Sequence, residues 1–184
     1  MDANRILYRG RYLRMAAKGS WEYVERTNPQ GAVIVVAVTP EDRVLLVEQH
    51  RVPIDRRTIE FPAGLIGDDP GEQDEAITLA ARRELLEETG WAAGRVDYLM
   101  GGPSSAGMST EIMHFVRAFD LRREHAGGGI DGEDITVHEV PRSEVADFVH
   151  RHLQQGFGID PKVYAGLYFL ERDAAGRPWS EHSA

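Results

Sequence analysis

Residues Ala32-Val33-Ile34-Val35-Val36-Ala37-Val38 form a run of seven apolar side chains. A strand with one face in water would alternate. An unbroken run marks a strand buried on both faces, so the rest of the chain has to supply cover on two sides. Thr39-Pro40-Glu41-Asp42 then reads as a turn, and Arg43 to Gln49 as the next strand. Thr58-Ile59-Glu60-Phe61 is a third, ending at Pro62. Further strands are expected near Val96–Met100, from Glu111 to Leu121 and from Ile135 to Val140. Pro141-Arg142-Ser143 opens a helix to about Gln155. Asp160-Pro161, an N-cap followed by N1 proline, opens another through Arg172.

Residues 1–30 are different. Ile6 to Met15 and Trp21 to Arg26 alternate charged and apolar side chains, with turns at Gly10 and Lys18-Gly19-Ser20. Two or three short strands are expected. Asn28-Pro29-Gln30-Gly31 is a break. The piece is too small to hold a core, so its sheet is expected to lie against something else, such as a second subunit.

Composition narrows the function. At 184 residues the chain suits one domain with a small appendage. The net charge of −9 argues against a general nucleic-acid binder. With zero cysteines there is no disulfide, thiolate zinc site or cysteine nucleophile. No basic-then-apolar leader and no run of 18 apolar residues is present, so a cytoplasmic protein without a membrane partner is expected.

The chemistry is expected around Pro62-Ala63-Gly64 and the segment from Glu75 to Trp91. Asp74 suits an N-cap, Glu75 the first turn of a helix and Gly90 its C-terminal cap. Glu84, Glu87 and Glu88 fall within one arc of about 100° on that helix. Leu79 and Leu86 point the other way and Leu85 to the side, so the helix is expected to dock with its acids outward. Arg83 reaches Glu87 at i+4, but the arc holds no lysine or arginine for Glu84 and Glu88. A hard divalent cation would relieve that like-charge pair, because Mg²⁺ takes carboxylate oxygens, waters and substrate phosphates. A solvated acidic face is the plainer alternative.

The spacing resembles the Nudix box. Glu75 is followed by seven residues, Ala76 to Arg82, and then Arg83-Glu84-Leu85-Leu86-Glu87-Glu88-Thr89-Gly90-Trp91. One departure stands out. Ten residues separate Gly64 from Glu75 where the box has five, and Gly67-Asp68-Asp69-Pro70-Gly71 reads as a loop insertion. The resemblance implies an α/β fold, an α/β/α sandwich with a mixed sheet, here from about 31 to 175 after the small antiparallel subdomain. It implies hydrolysis of a nucleoside diphosphate linked to a further moiety, with Mg²⁺ or Mn²⁺. By the same resemblance Glu84, Glu88, Glu75 and the Ala63 carbonyl are metal ligands. Glu87 is the third acid of the box and Arg83 orients the acids.

More of the chain is similar to the ADP-ribose pyrophosphatase branch. Trp21-Glu22, Glu48-Gln49-His50-Arg51, Glu60-Phe61-Pro62-Ala63-Gly64 and Glu133-Asp134-Ile135 carry that likeness. It implies a homodimer that exchanges N-terminal strands. It also implies a general base from the late acidic loop, Glu133, with Asp131 or Asp134 as alternatives. That loop, with Gly127-Gly128-Gly129, reads as mobile. Arg51, Arg56 and Arg57 are candidates for gripping a diphosphate, since guanidinium matches phosphate oxygens in pairs. Their plain alternative is a set of surface arginines. Trp21 could stack on a base or simply pack on a strand.

Where many members of that branch carry Ser-Pro-Gly, this chain has Ser105-Ala106-Gly107, with Ser105 and Gly107 expected beside substrate. The missing proline keeps GDP-mannose and other nucleotide sugars open beside ADP-ribose, as well as a non-catalytic sensor. Ser104 or Ser105 has no Gly-x-Ser-x-Gly elbow around it. His150 and His152 sit two apart on an expected helix and do not face together as a zinc pair.

Overall fold

The computed structural model describes residues 4–27, 31–67, 76–130 and 132–179. Asp74, Glu75 and Asp131, which carried expectations above, lie outside the described residues. The N-terminal strands are β1 (Arg5–Arg9), β2 (Leu13–Lys18) and β3 (Trp21–Arg26), an antiparallel sheet in that order. It exposes large apolar side chains, Ile6, Leu7, Tyr8, Tyr12 and Leu13, among the exposed Arg5, Arg9 and Arg11.

The apolar run forms β4 (Ala32–Ala37), with every residue buried. It pairs parallel with β9 (Ile112–Arg123) and antiparallel with β7 (Ala63–Leu65). β8 (Trp91–Pro103) completes a mixed sheet in the order β7-β4-β9-β8. A second mixed sheet has the order β10-β5-β6-β11. It is built from β5 (Arg43–Arg51), β6 (Arg56–Glu60), β10 (Ile135–Pro141) and the two-residue β11 (Gly158–Ile159). Three helices cover these sheets: α1 (Ile77–Thr89), α2 (Val145–Gln154) and α3 (Pro161–Glu171).

The run is apolar throughout because its two faces serve two cores. Ile34 and Val36 pack with Leu46, Ile59 and Phe61 against Val145, Val149, Val163 and Phe169 of α2 and α3. Val33 and Val35 pack with Leu45 against Ala80, Ala81 and Leu85 of α1. The sheets therefore lie between helical layers, as a strand buried on both faces requires. α3 begins as expected, with Asp160 accepting a hydrogen bond from the Lys162 backbone at 2.8 Å. β8 starts at Trp91, well before the expected Val96, since its pairing with β9 carries it past Gly94. Among the described residues no helix is long and apolar enough to cross a membrane.

α1 departs from its expected orientation. Its acids do not face outward: Glu84 is 8% exposed and Glu88 5%. Leu85 is the fully buried leucine, while Leu79 is 58% exposed. The helix carries a narrow stripe of Ala80, Ala81 and Leu85 into the core, and the glutamates flank it under β7. The C-terminal expectation agrees with the structure: Gly90 caps the helix at φ 75, and its N–H donates to the Leu86 carbonyl at 2.8 Å.

Candidate active site

The turn Pro62-Ala63-Gly64 lies directly over the glutamates of α1. The Ala63 N–H donates to Glu88 Oε2 at 3.0 Å. A Cβ built on Gly64 would run into the Glu84 carboxylate, so glycine lets that carboxylate lie where it does against the strand. Arg83 ties the same pieces together. It donates to the Leu65 carbonyl at 3.0 Å, to Glu84 Oε1 at 2.8 Å and to Glu87 Oε2 at 3.4 Å. The sequence expectation gave Glu84 no cationic neighbour. Arg83 supplies one, because its side chain folds back along the helix toward β7.

The electrostatics are unfavourable for anions. Burial pushes the Glu88 carboxyl well above the usual carboxylate range, and the charges of Glu84 and Glu133 push it further, against the Ala63 N–H. Buried hard oxygens gathered under a glycine turn are the donor set that a small divalent cation takes. The residues present fit such an ion. Glu84, Glu88 and the Ala63 carbonyl would hold it.

A cavity of about 590 Å³ opens beside this turn. Ala63, Gly64, Arg51, Glu60, Arg26 and Lys162 are among its lining residues. Arg51 is held by Glu60 in a paired arrangement, with Nε to Oε1 and Nη2 to Oε2 both at 2.7 Å. Glu60 is 3% exposed. Burial raises its pKa, but the Arg51 hydrogen bonds and charge, with the Thr58 hydroxyl, outweigh that and hold it below the usual range. Sequence reasoning quoted Glu60 only as part of a resemblance and gave it no role. An acid between Ile59 and Phe61 in a buried strand was the available signal.

The late loop is docked rather than loose. Gly128 N–H donates to the Glu88 carbonyl at 2.8 Å, and Gly129 N–H to the Glu87 carbonyl at 3.1 Å. These bonds satisfy carbonyls at the end of α1, and Gly127, Gly128 and Gly129 meet the geometry with positive φ. The loop carries Glu133 to the α1 end, where its carboxylate accepts from the Ile130 N–H at 3.0 Å. Asp134 is engaged elsewhere, with Arg57 Nη1 at 2.6 Å.

Glu84, Glu87 and Glu88 do not themselves line the cavity, Glu133 lines a separate pocket with Gly128 and Gly129, and other expected residues do not reach the cavity either. Arg56 is exposed at the start of β6 and does not line it. Arg57 points to Glu48 and Asp134. Trp21, 63% exposed, lines a separate pocket of about 270 Å³ with Gly107 and Met108. Ser105 lines neither; its carbonyl closes the turn by accepting from Met108 and Ser109 N–H. β3 nevertheless touches both pockets. Val24 pairs with the 108–110 segment, and the Arg26–Glu111 ion pair lies in the wall of the larger cavity.

The NUDIX domain model matches residues 28–161. The layered fold with its acidic box helix defines the class, and the chain belongs to the Nudix family. It is 35% identical over 136 residues to a GDP-mannose pyrophosphatase of Enterobacter sp. (strain 638), covering 70% of this chain and 67% of that protein. It is 32% identical over 122 residues to the methanol dehydrogenase activator of Bacillus methanolicus, covering 65% and 62%. It is 40% identical over 91 residues to an ADP-ribose pyrophosphatase of Bacillus subtilis (strain 168), covering 50% and 46%. The fold matches a crystal structure of an ADP compounds hydrolase with TM-score 0.62 at 22% identity, covering 84% of this chain and 92% of that one.

Proposed function

We propose that this protein hydrolyses the diphosphate linkage of a nucleoside-diphosphate sugar, with ADP-ribose cleaved to AMP and ribose 5-phosphate. The observation that carries the reading is the burial of Glu84 and Glu88 under the Ala63-Gly64 turn, which itself lines the cavity holding Arg51. Glu84 and Glu88, with the Ala63 carbonyl and Glu75, would hold Mg²⁺ or Mn²⁺. Such an ion, when bound, neutralises the diphosphate, polarises phosphorus and acidifies water. Arg83 and Glu87 keep the acids in register. Arg51, oriented by Glu60, presents its guanidinium to the diphosphate. Glu133 takes the proton of the attacking water.

The 108–110 segment, with Ser105 and Gly107 near it, and Trp21 receive the nucleoside end. In the homodimer this reading includes, exchanged N-terminal strands bring Trp21 across to the partner's cavity. The exposed apolar side chains Ile6, Leu7, Tyr8 and Leu13 of β1 and β2 support that assembly. A cytoplasmic location belongs to the same reading.

Ala106 supports a second reading. With alanine between Ser105 and Gly107 the loop lacks a proline constraint, and the GDP-mannose pyrophosphatase relatives align over more of this chain than the ADP-ribose one. A panel of nucleotide sugars with Mg²⁺ or Mn²⁺, products identified by mass and Glu88→Gln as control, separates the two. ADP-ribose turnover alone supports the first reading. Preference for GDP-mannose supports the second. Binding without turnover would overturn both in favour of a sensor.

A further inference from the structure

Glu48, His138 and His152 come from β5, β10 and α2, and no sequence motif links them. One ligand atom from each lies within 4.8 Å of the others. Glu48 is in phase with Leu46, which faces the α2 and α3 core, so the cluster sits on the opposite side of the sheet from α1. The β10–β5 register sets Thr136 opposite Glu48 and His138 opposite Leu46, which makes Glu48 and His138 diagonal neighbours on one face. α2 lowers His152 onto them.

The chemistry of each group suits a cation with nitrogen preference. Glu48 Oε2 lies 3.0 Å from His138 Nε2. Ligand atoms on a tetrahedral zinc-type ion with bonds of about 2.0–2.1 Å sit roughly 3.3 Å apart. Glu48 and His138 share a hydrogen bond at close to that spacing, so an ion binding there replaces the shared proton, and His152 completes the cluster. His152 Nδ1 lies 2.8 Å from the Phe148 carbonyl. A carbonyl only accepts, so Nδ1 carries the hydrogen and Nε2 keeps a lone pair. This is the orientation that outer hydrogen bonds give to metal-bound histidines.

Glu48 Oε1 is held by Arg57, which fixes the carboxylate, while Oε2 faces His138 and turns to the ion once the shared proton leaves. Glu48 and Asp134 against Arg57 leave one net negative charge with both imidazoles neutral. Phe148 and Phe157 wall the cluster, with ring centroids 4.0 and 5.0 Å from His152. His150 points away to Gln154 at 2.9 Å.

We propose that Glu48, His138 and His152 form a second metal site, for a borderline divalent ion of the zinc class, which ties α2 to the β5–β10 edge. Two imidazoles with one carboxylate favour Zn²⁺ or Co²⁺ over Mg²⁺, so this site and the all-oxygen box select different ions.

The test is Co²⁺ titration of the full chelator-treated chain in excess Mg²⁺, read by visible absorption. One equivalent should bind with tetrahedral-type bands. His138→Gln and His152→Gln should each weaken it at least about tenfold, while His150→Gln should leave it unchanged. Unaltered Co²⁺ binding in His138→Gln and His152→Gln, or no binding by the folded wild-type chain, would overturn the proposal. If those variants fail to fold, histidine-ring NMR of the wild-type chain decides. Zn²⁺ should shift two histidine signals and not that of His150, and unshifted signals would overturn the site.

Discussion

The Ala63 N–H donates to the Glu88 carboxylate at 3.0 Å, across 25 positions of sequence. That single bond joins the turn before the insertion to the last acid of the box. It is too little for a buried carboxylate. Burial dominates and pushes the Glu88 carboxyl well above the usual carboxylate range.

The Glu88→Gln variant tests this directly. Without metal, replacing a buried charge by a neutral amide of the same shape should leave the melting temperature unchanged or higher. With Mg²⁺, hydrolysis should fall by about a hundredfold or more. Thermal melts with and without Mg²⁺, beside steady-state kinetics, would show it. Wild-type activity in the variant would remove Glu88 from the metal site.

Gly64→Ala should also silence the enzyme while leaving every acid in place. The new methyl meets the Glu84 carboxylate. Either that carboxylate or β7 must move, and displacements of about 1 Å cost on the order of a hundredfold in rate. The expected signature is a lower kcat with α/β circular dichroism retained. Undiminished kcat would mean that Glu84 can swing aside without cost.

The Glu60–Arg51 pair gives a pH signature. Glu60 in the folded chain titrates below its unfolded value of about 4.3. Its stabilisation is therefore complete above that value and is lost as pH falls through the lower folded one. Because Arg51 is half-exposed, solvent screens part of the pair. Glu60→Gln should cost about 1–2 kcal/mol at pH 7. Denaturant melts should show the gap between wild type and variant closing as pH falls below the unfolded carboxylate value. A constant gap would assign the loss to packing.

If the proposed dimer forms through this sheet, the wild type should give a two-chain mass by light scattering and Leu13→Lys, exposed on β2, a single-chain mass. If Trp21 serves a partner's cavity, KM should rise about tenfold or more with a smaller change in kcat, since an aromatic stacking contact is worth about 1–3 kcal/mol. A two-chain mass in the variant would place the dimer contact elsewhere.

Strong patterns were legible in the sequence. The Ala32–Val38 run marked the central strand because burial on both faces leaves no polar position. Asp160-Pro161 and Gly90 marked helix ends because caps are local. The facing of α1 was not legible. Its stripe of Ala80, Ala81 and Leu85 is narrow, and nothing local tells that Gly64 will cover the acids. Arg56 and Arg57 looked alike in sequence, yet β6 sends one to solvent and the other to Glu48. The Glu48–His138–His152 cluster was invisible for the same reason. Strand register and a helix on another layer assemble it, and neither is written within any one stretch of the chain.

The fit of Gly64 against Glu84 makes two positions, twenty apart, behave as one heritable unit. A lineage that keeps the acid where it now lies keeps the glycine. One that abandons catalysis frees both, and the glycine, cheap to replace once the acid shortens, drifts with it. Among descendants of this chain, a bulky residue at 64 would mark a retired enzyme even where the other glutamates of the box still stood.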